Sequence, residues 1–163
     1  MSVGFIGPTL SLNPYCPMAT FVPLVSSGIA GPLGVLHLPR LWLKVSLEAR
    51  GKLDSRYPGV GKGFDAMTIS ALGLNHDAVV AFIKDKRPTY PQFEAWITKQ
   101  PGVKLDAATI GKHNASVRGY NHDETTRKGV LGACGIPDDG KTLDAVRLND
   151  LESWLEFHVA ELK

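Results

Sequence analysis

LHLPRLWLKVSLEARGKL, residues 36–53, is the stretch from which the fold is read. Leu38, Leu41, Trp42, Val45, Ala49 and Leu53 recur at spacings of three and four, which marks one face of an amphipathic helix. Pro39 suits its first turn, where the missing N–H has no partner to lose. The spacing predicts that this helix runs on to about Tyr57, where Pro58 and the loop PGVGKG would stop it.

Downstream the same period returns in shorter pieces. A helix is predicted from Phe64 to Leu72 with Gly73 as its stop, then HDAVVAFIKDK (76–86) capped by Asn75. Thr89 with Gln92 forms a capping box for PQFEAWITKQ (91–100), and Asp106 caps AATIGKHNASVRGYNH (107–122). A glycine-interrupted helix is expected from Glu124 to Ala133. Asn149 with Glu152 reads as a capping box for a last helix carrying Leu148, Leu151, Leu155, Val159 and Leu162. No window alternates with a period of two between turn signals, so little or no sheet is expected. The fold class that follows is all-α, a compact single-domain bundle of about six to seven short helices. Trp42, Phe64, Phe82, Phe93, Trp96, Trp154 and Phe157 are its expected core aromatics, and His158 its expected core histidine.

Upstream of this helix the material changes. No Lys, Arg, Asp or Glu precedes Arg40, and Pro8, Pro14, Pro17, Pro23 and Pro32 break every window long enough for a membrane helix. No basic n-region of a signal peptide is present. Residues 1–36 are therefore read as an uncharged extended arm, held by Phe21, Val22, Leu24, Val25 and Ile29, on a helical domain of residues 37–163. Residues 1–17 read as an upstream extension, and a cytoplasmic location is the default.

The chain has 163 residues, is 44% hydrophobic and carries a net charge of only +2. One domain of this size needs no disulfides or structural metal to fold, and phosphate-driven nucleic-acid binding usually shows a larger imbalance. Cys16 and Cys134 are too few for a zinc site or a disulfide framework. Gly-x-Ser-x-Gly is absent, and GVGKG (59–63) lacks the rest of a phosphate loop, which leaves a flexible linker as its reading.

The polar residues gather at HNASVRGYNHDE, 113–124. On a helix Asn114, Arg118 and Asn121 share a face and would hold an anionic substrate. His113, His122, Arg118 and Tyr120 are the candidate catalytic groups, the imidazoles as base and the guanidinium for a developing oxyanion. His122, Asp123 and Glu124 are candidate ligands for a divalent metal ion, Ca or Zn, that would activate water. The bland alternative is a polar helix end in which Arg118 only bridges helices. His37, at the junction of arm and helix, would join these groups only through tertiary folding.

Five segments, GPLGVLHLPRLWLKVSLEARGKL, LGLNHDAVVAFI, YPQFEAWI, HNASVRGYNH and VRLNDLESWLEFH, together resemble a family of small bacterial proteins known as domain of unknown function 5069. The resemblance spans roughly residues 28–160 and rests on Leu38–Arg40, Leu72–Gly73, and Asn114 with Arg118–Gly119. It implies a compact helical domain and brings no activity with it. Two functional expectations therefore stand. One is a small-molecule hydrolase, of ester or lactone type, using metal- or His-activated water at 113–124; the other is a non-catalytic binding or protein-interaction module. A small, anionic ligand and a homodimer are the expected partners; a membrane is not, and nucleic acid ranks behind both.

Overall fold

A computed structural model describes residues 19–163. Seven α-helices follow in order: α1 (Leu38–Glu48), α2 (Phe64–Ala71), α3 (His76–Lys86), α4 (Tyr90–Ile97), α5 (Ala107–Gly119), α6 (Glu124–Ala133) and α7 (Ala145–Phe157). A π-helical turn, His158–Leu162, continues α7. Among the described residues there is no strand, only three isolated bridges, so the all-α class holds. No single described helix is long and apolar enough to cross a membrane. The upstream extension at residues 1–17 lies outside the described residues.

Helix starts fall where the caps demand. Asn75 accepts the Ala78 N–H at 2.9 Å, Asp106 accepts that of Thr109 at 2.9 Å, and the Thr89 N–H donates to Gln92 at 2.9 Å. Each satisfies a backbone donor that the first turn leaves without a partner. Two ends differ from expectation. α1 stops at Glu48 rather than near Tyr57, because Gly51 enters the left-handed region (φ 63°). Its N–H and that of Lys52 then fold back on the carbonyls of Glu48 and Leu47, a closure that overrides the apolar spacing through Leu53. α7 begins four residues before Asn149, because Asp144 takes the Arg147 N–H at 2.9 Å. Asn149 is left inside the helix, with its side chain free for a tertiary contact.

The core lies around α1. Val35, Leu38, Leu41 and Val45 pack with Ile69 and Leu72 of α2, Val79 and Ile83 of α3, and Phe93 and Ile97 of α4. Each such fully buried side chain contributes about 1.5–3 kcal/mol. Trp42, Phe82 and Trp96 lie against this cluster, Phe82 and Trp96 stacked with centroids 4.5 Å apart. A smaller cluster of Val130, Leu131 and Leu148 joins α6 to α7. Trp154 is not core; it is 56% exposed. His158 is exposed as well, because the apolar stripe of α7 faces a partner only over its first turns.

Residues 19–36 run over the helices, held by polar contacts as well as by buried Val22, Val35 and Leu36. Val22 and Pro23 are buried, whereas Phe21, Leu24 and Ile29 are exposed. The Phe21 N–H donates to Lys52 O at 2.7 Å, and its carbonyl accepts the Asp54 N–H at 3.1 Å. Asn114 of α5 accepts the Leu36 N–H at 2.9 Å and donates to Gly34 O at 2.8 Å.

Candidate functional site

Among the described residues, a group of buried polar side chains (Ser27, His37, Arg40, Lys44, Asp65 and Ser153) gathers where this overlying segment meets α1, α2 and α7. His37, the N-cap of α1, has a left-handed backbone (φ 67°, ψ −20°), a conformation that costs a non-glycine residue about 1–3 kcal/mol. The residue is 3% exposed, and its ring lies between Ser27 and Asp65. Nδ1 is 2.9 Å from Ser27 Oγ, and Nε2 is 2.7 Å from Asp65 Oδ1. The second carboxylate oxygen of Asp65 accepts the Gly61 N–H at 2.7 Å and the ammonium of Lys44, two turns along α1 from His37.

Charge and proton positions follow from these partners. Burial opposes ionisation of Asp65, but the His37 hydrogen bond and the adjacent Lys44 ammonium outweigh it and hold its carboxyl below the ordinary range. Burial likewise pushes His37 below its usual 6.5, against the pull of Asp65. An ionised carboxylate only accepts, so His37 Nε2 carries the ring proton and donates to Asp65. Nδ1 is then a lone pair, and the Ser27 hydroxyl donates to it.

A second layer secures the first. Arg40, buried, donates to the carbonyls of Pro23 and Val25 and to Ser153 Oγ at 3.0 Å. Its guanidinium stands 5.7 Å from the Tyr57 ring centre. The Tyr57 hydroxyl meets Ser153 at 3.2 Å and donates to Glu156; burial pushes it up to about 12. Phe64 closes one side of the imidazole, with ring centres 5.5 Å apart.

This network borders a cavity of about 200 Å³, whose wall includes Ser27, His37, Arg40, Lys44, Asp65 and Glu152. Burial and then the neighbouring Glu156 raise the Glu152 carboxyl. A chamber of about 340 Å³ shares Gly63, Phe64 and Asn149 with it and adds Lys62, Met67, Tyr120, His122 and Ala145. The two cavities adjoin, one walled largely by charged groups and the other largely by apolar ones. GVGKG is thus no slack linker: Gly61 bonds Asp65, the Gly59 N–H donates to Glu48 at 3.1 Å, and Lys62 and Gly63 edge the chamber.

The residues expected from 113–124 are dispersed. Tyr120 and His122 do line the larger chamber, Tyr120 edge-on to Phe64 and to His122, and His122 Nε2 lies 2.8 Å from Asn149 Oδ1. His113 faces elsewhere. Its Nε2 donates to Leu36 O at 3.1 Å, burial holds it neutral, and Nδ1 is buried without a partner. Asn114 fastens the segment at Gly34 and Leu36. Arg118 and Asn121 are exposed and border neither cavity: Arg118 lies in the last turn of α5, and the chain turns extended at Tyr120 before Asn121 could share its face.

His122, Asp123 and Glu124 do not fit a metal. Asp123 is the cap of α6 and folds onto the Thr126 N–H at 2.8 Å, while Glu124 pairs with Lys128 on the open face. His122 points the other way, to Asn149. Three adjacent residues across a helix start send their side chains apart. Among the described residues no three His, Cys, Asp or Glu side chains gather as a metal set. Cys134 is half-buried with its thiol pushed up by burial, the opposite of an activated nucleophile.

Ser27, His37 and Asp65 were missed as a set because 10 and 28 residues separate the partners. A signal was present nonetheless. Arg40 and Lys44 lie one turn apart beside Leu41 and Val45, so two cations stand on the buried face of α1 and require buried polar partners. Comparison with protein-family models, curated proteins and solved structures gives no match.

Proposed function

We propose that this protein is a small-molecule hydrolase of the ester type, that its substrate binds in the cleft between α1, α2 and α7, and that His37 is the base. One observation carries the reading. The His37 ring stands between the Asp65 carboxylate, 2.7 Å from Nε2, and the Ser27 hydroxyl, 2.9 Å from Nδ1, at the wall of a cavity. General bases of this kind contribute about 10²–10⁴ in rate. The adjoining apolar wall of Phe64, Met67 and Tyr120 suits a small acyl or aryl group, and Lys62 at its edge suits an anionic substituent. His122 borders the substrate here rather than a metal.

The test is turnover of a panel of nitrophenyl esters and small lactones by the whole protein and by His37→Gln. The reading expects hydrolysis that falls at least about 10²-fold in the variant. No turnover by the native protein, or equal turnover by both, would overturn it. A second reading, a non-catalytic binding module for a small anionic ligand, is favoured by the near-complete burial of Ser27 and His37, 1% and 3% exposed. Ligand binding without turnover would establish that reading. A homodimer, a cytoplasmic location and kinship with the bacterial family named above accompany these proposals.

A further inference from the structure

We infer that Ser27 is a nucleophile, so that the protein works through a covalent acyl-serine rather than by direct attack of water. The inference rests on the hydrolase reading above and sharpens it. Both nitrogens of His37 are occupied, one by Asp65 and one by Ser27. Among the described residues, the hydroxyl that its free lone pair reaches is that of Ser27, at 2.9 Å. Water has no place on the ring until that hydroxyl has reacted. The left-handed turn at His37 supports the assignment, because backbone strain at a buried polar residue persists only where the surroundings enforce it.

The chemistry balances with ester and water alone. Ser27 Oγ attacks the carbonyl carbon as its proton passes to His37 Nδ1, and the carbonyl oxygen becomes an oxyanion. The oxyanion collapses, the bond from carbon to the alcohol oxygen breaks, and the proton on Nδ1 goes to the departing alkoxide. The acyl group now sits on Ser27. A water molecule takes the vacated position, yields a proton to Nδ1 and attacks the acyl carbon. The Ser27 oxygen leaves and recovers that proton, releasing a carboxylic acid. Asp65 stays ionised throughout, accepts from Nε2 and stabilises the transient imidazolium, and Lys44 holds Asp65 in place. The arrangement is a serine–histidine–carboxylate relay in which the two ring nitrogens have exchanged roles relative to the usual one.

The experiment pairs nitrophenyl acetate hydrolysis with labelling by an alkyl fluorophosphonate, read by intact mass and by the peptide containing Ser27. The inference expects one phosphonate per chain on Ser27, absent in Ser27→Ala and His37→Gln, and a loss of at least about 10³-fold in hydrolysis by Ser27→Ala. Hydrolysis retained by a folded Ser27→Ala would overturn the nucleophile and leave the His37 reading standing. Labelling of Ser27 without ester turnover would support the nucleophile and reject the ester as substrate. Absence of both would reject both. Should Ser27→Ala fail to fold, Ser27→Cys decides. Its new thiol is expected to be alkylated by iodoacetamide faster than Cys134 and to lose that advantage when His37→Gln is added. Alkylation no faster than at Cys134 would overturn the inference.

Discussion

Two polar regions of this protein, both with histidine and acid, reach opposite ends. In 113–124 histidine, arginine, tyrosine and two acids crowd into twelve positions, yet they do not gather into one site. Asp123 caps a helix, Glu124 meets Lys128, Asn114 and His113 hold the overlying segment, and Arg118 stands in solvent. Around His37 a serine, a histidine, an aspartate and a lysine arrive from three separate stretches and join in one buried chain of hydrogen bonds. Density along the chain measures neighbourhood on a helix, whose successive side chains diverge. Convergence needs the tertiary fold.

The largest expected break in this contrast is Asp65→Ala. It strands the Lys44 ammonium, 8% exposed at its side chain, without its counter-charge, and should cost about 3–5 kcal/mol in a denaturant melt. Glu124→Ala, removing an exposed acid from the crowded segment, should leave the melt essentially unchanged. The aromatic core gives a parallel pair. Phe93→Ala, at a fully buried side chain, should cost about 3–5 kcal/mol, and Trp154→Ala less than about 1 kcal/mol.

Within 113–124 itself, Asn114→Ala should cost about 1–3 kcal/mol, because the Leu36 N–H and Gly34 carbonyl lose their partner. Arg118→Ala should change thermal stability negligibly. Were Arg118 the strut that the bland sequence reading allowed, its loss would match that of Asn114.

The helices were legible because their signals are local. Asn75, the Thr89–Gln92 pair and Asp106 each act within one turn, and all three perform the capping their positions imply. The failures have the same origin. Leu53 keeps the helical spacing of α1 although Gly51 has already closed it, and the Asn149–Glu152 pair imitates a cap that Asp144 supplies earlier. Tyr120 and His122, singled out in the sequence, border the larger cavity. The smaller cavity was not foreseen, because Ser27 carries no pattern of its own and Asp65 is simply an acid in a first turn. Only the paired cations on the buried face of α1 pointed to it.

A gentler probe is pH. Burial first, then the Lys44 and Arg40 charges, hold His37 below its usual value in the folded protein, against the opposing pull of Asp65. The unfolded chain takes up its proton near 6.5, the folded chain only at lower pH. Below 6.5 the unfolded state therefore binds more protons, and stability should decline as pH falls through that region. Asp65, held below its ordinary 3.8, adds a second loss at more acid pH. Burial lowers His113 in the same way, so His37→Gln should lessen the first decline without abolishing it.

The most direct measurement is nitrogen NMR of the isotopically labelled His37 ring at neutral pH. The account predicts a neutral imidazole with its proton on Nε2, donated to Asp65, and a lone pair on Nδ1 that receives the Ser27 hydroxyl. An imidazolium, or a proton on Nδ1, would mean that the hydroxyl is only an acceptor and that the chain of hydrogen bonds runs in the wrong direction for chemistry.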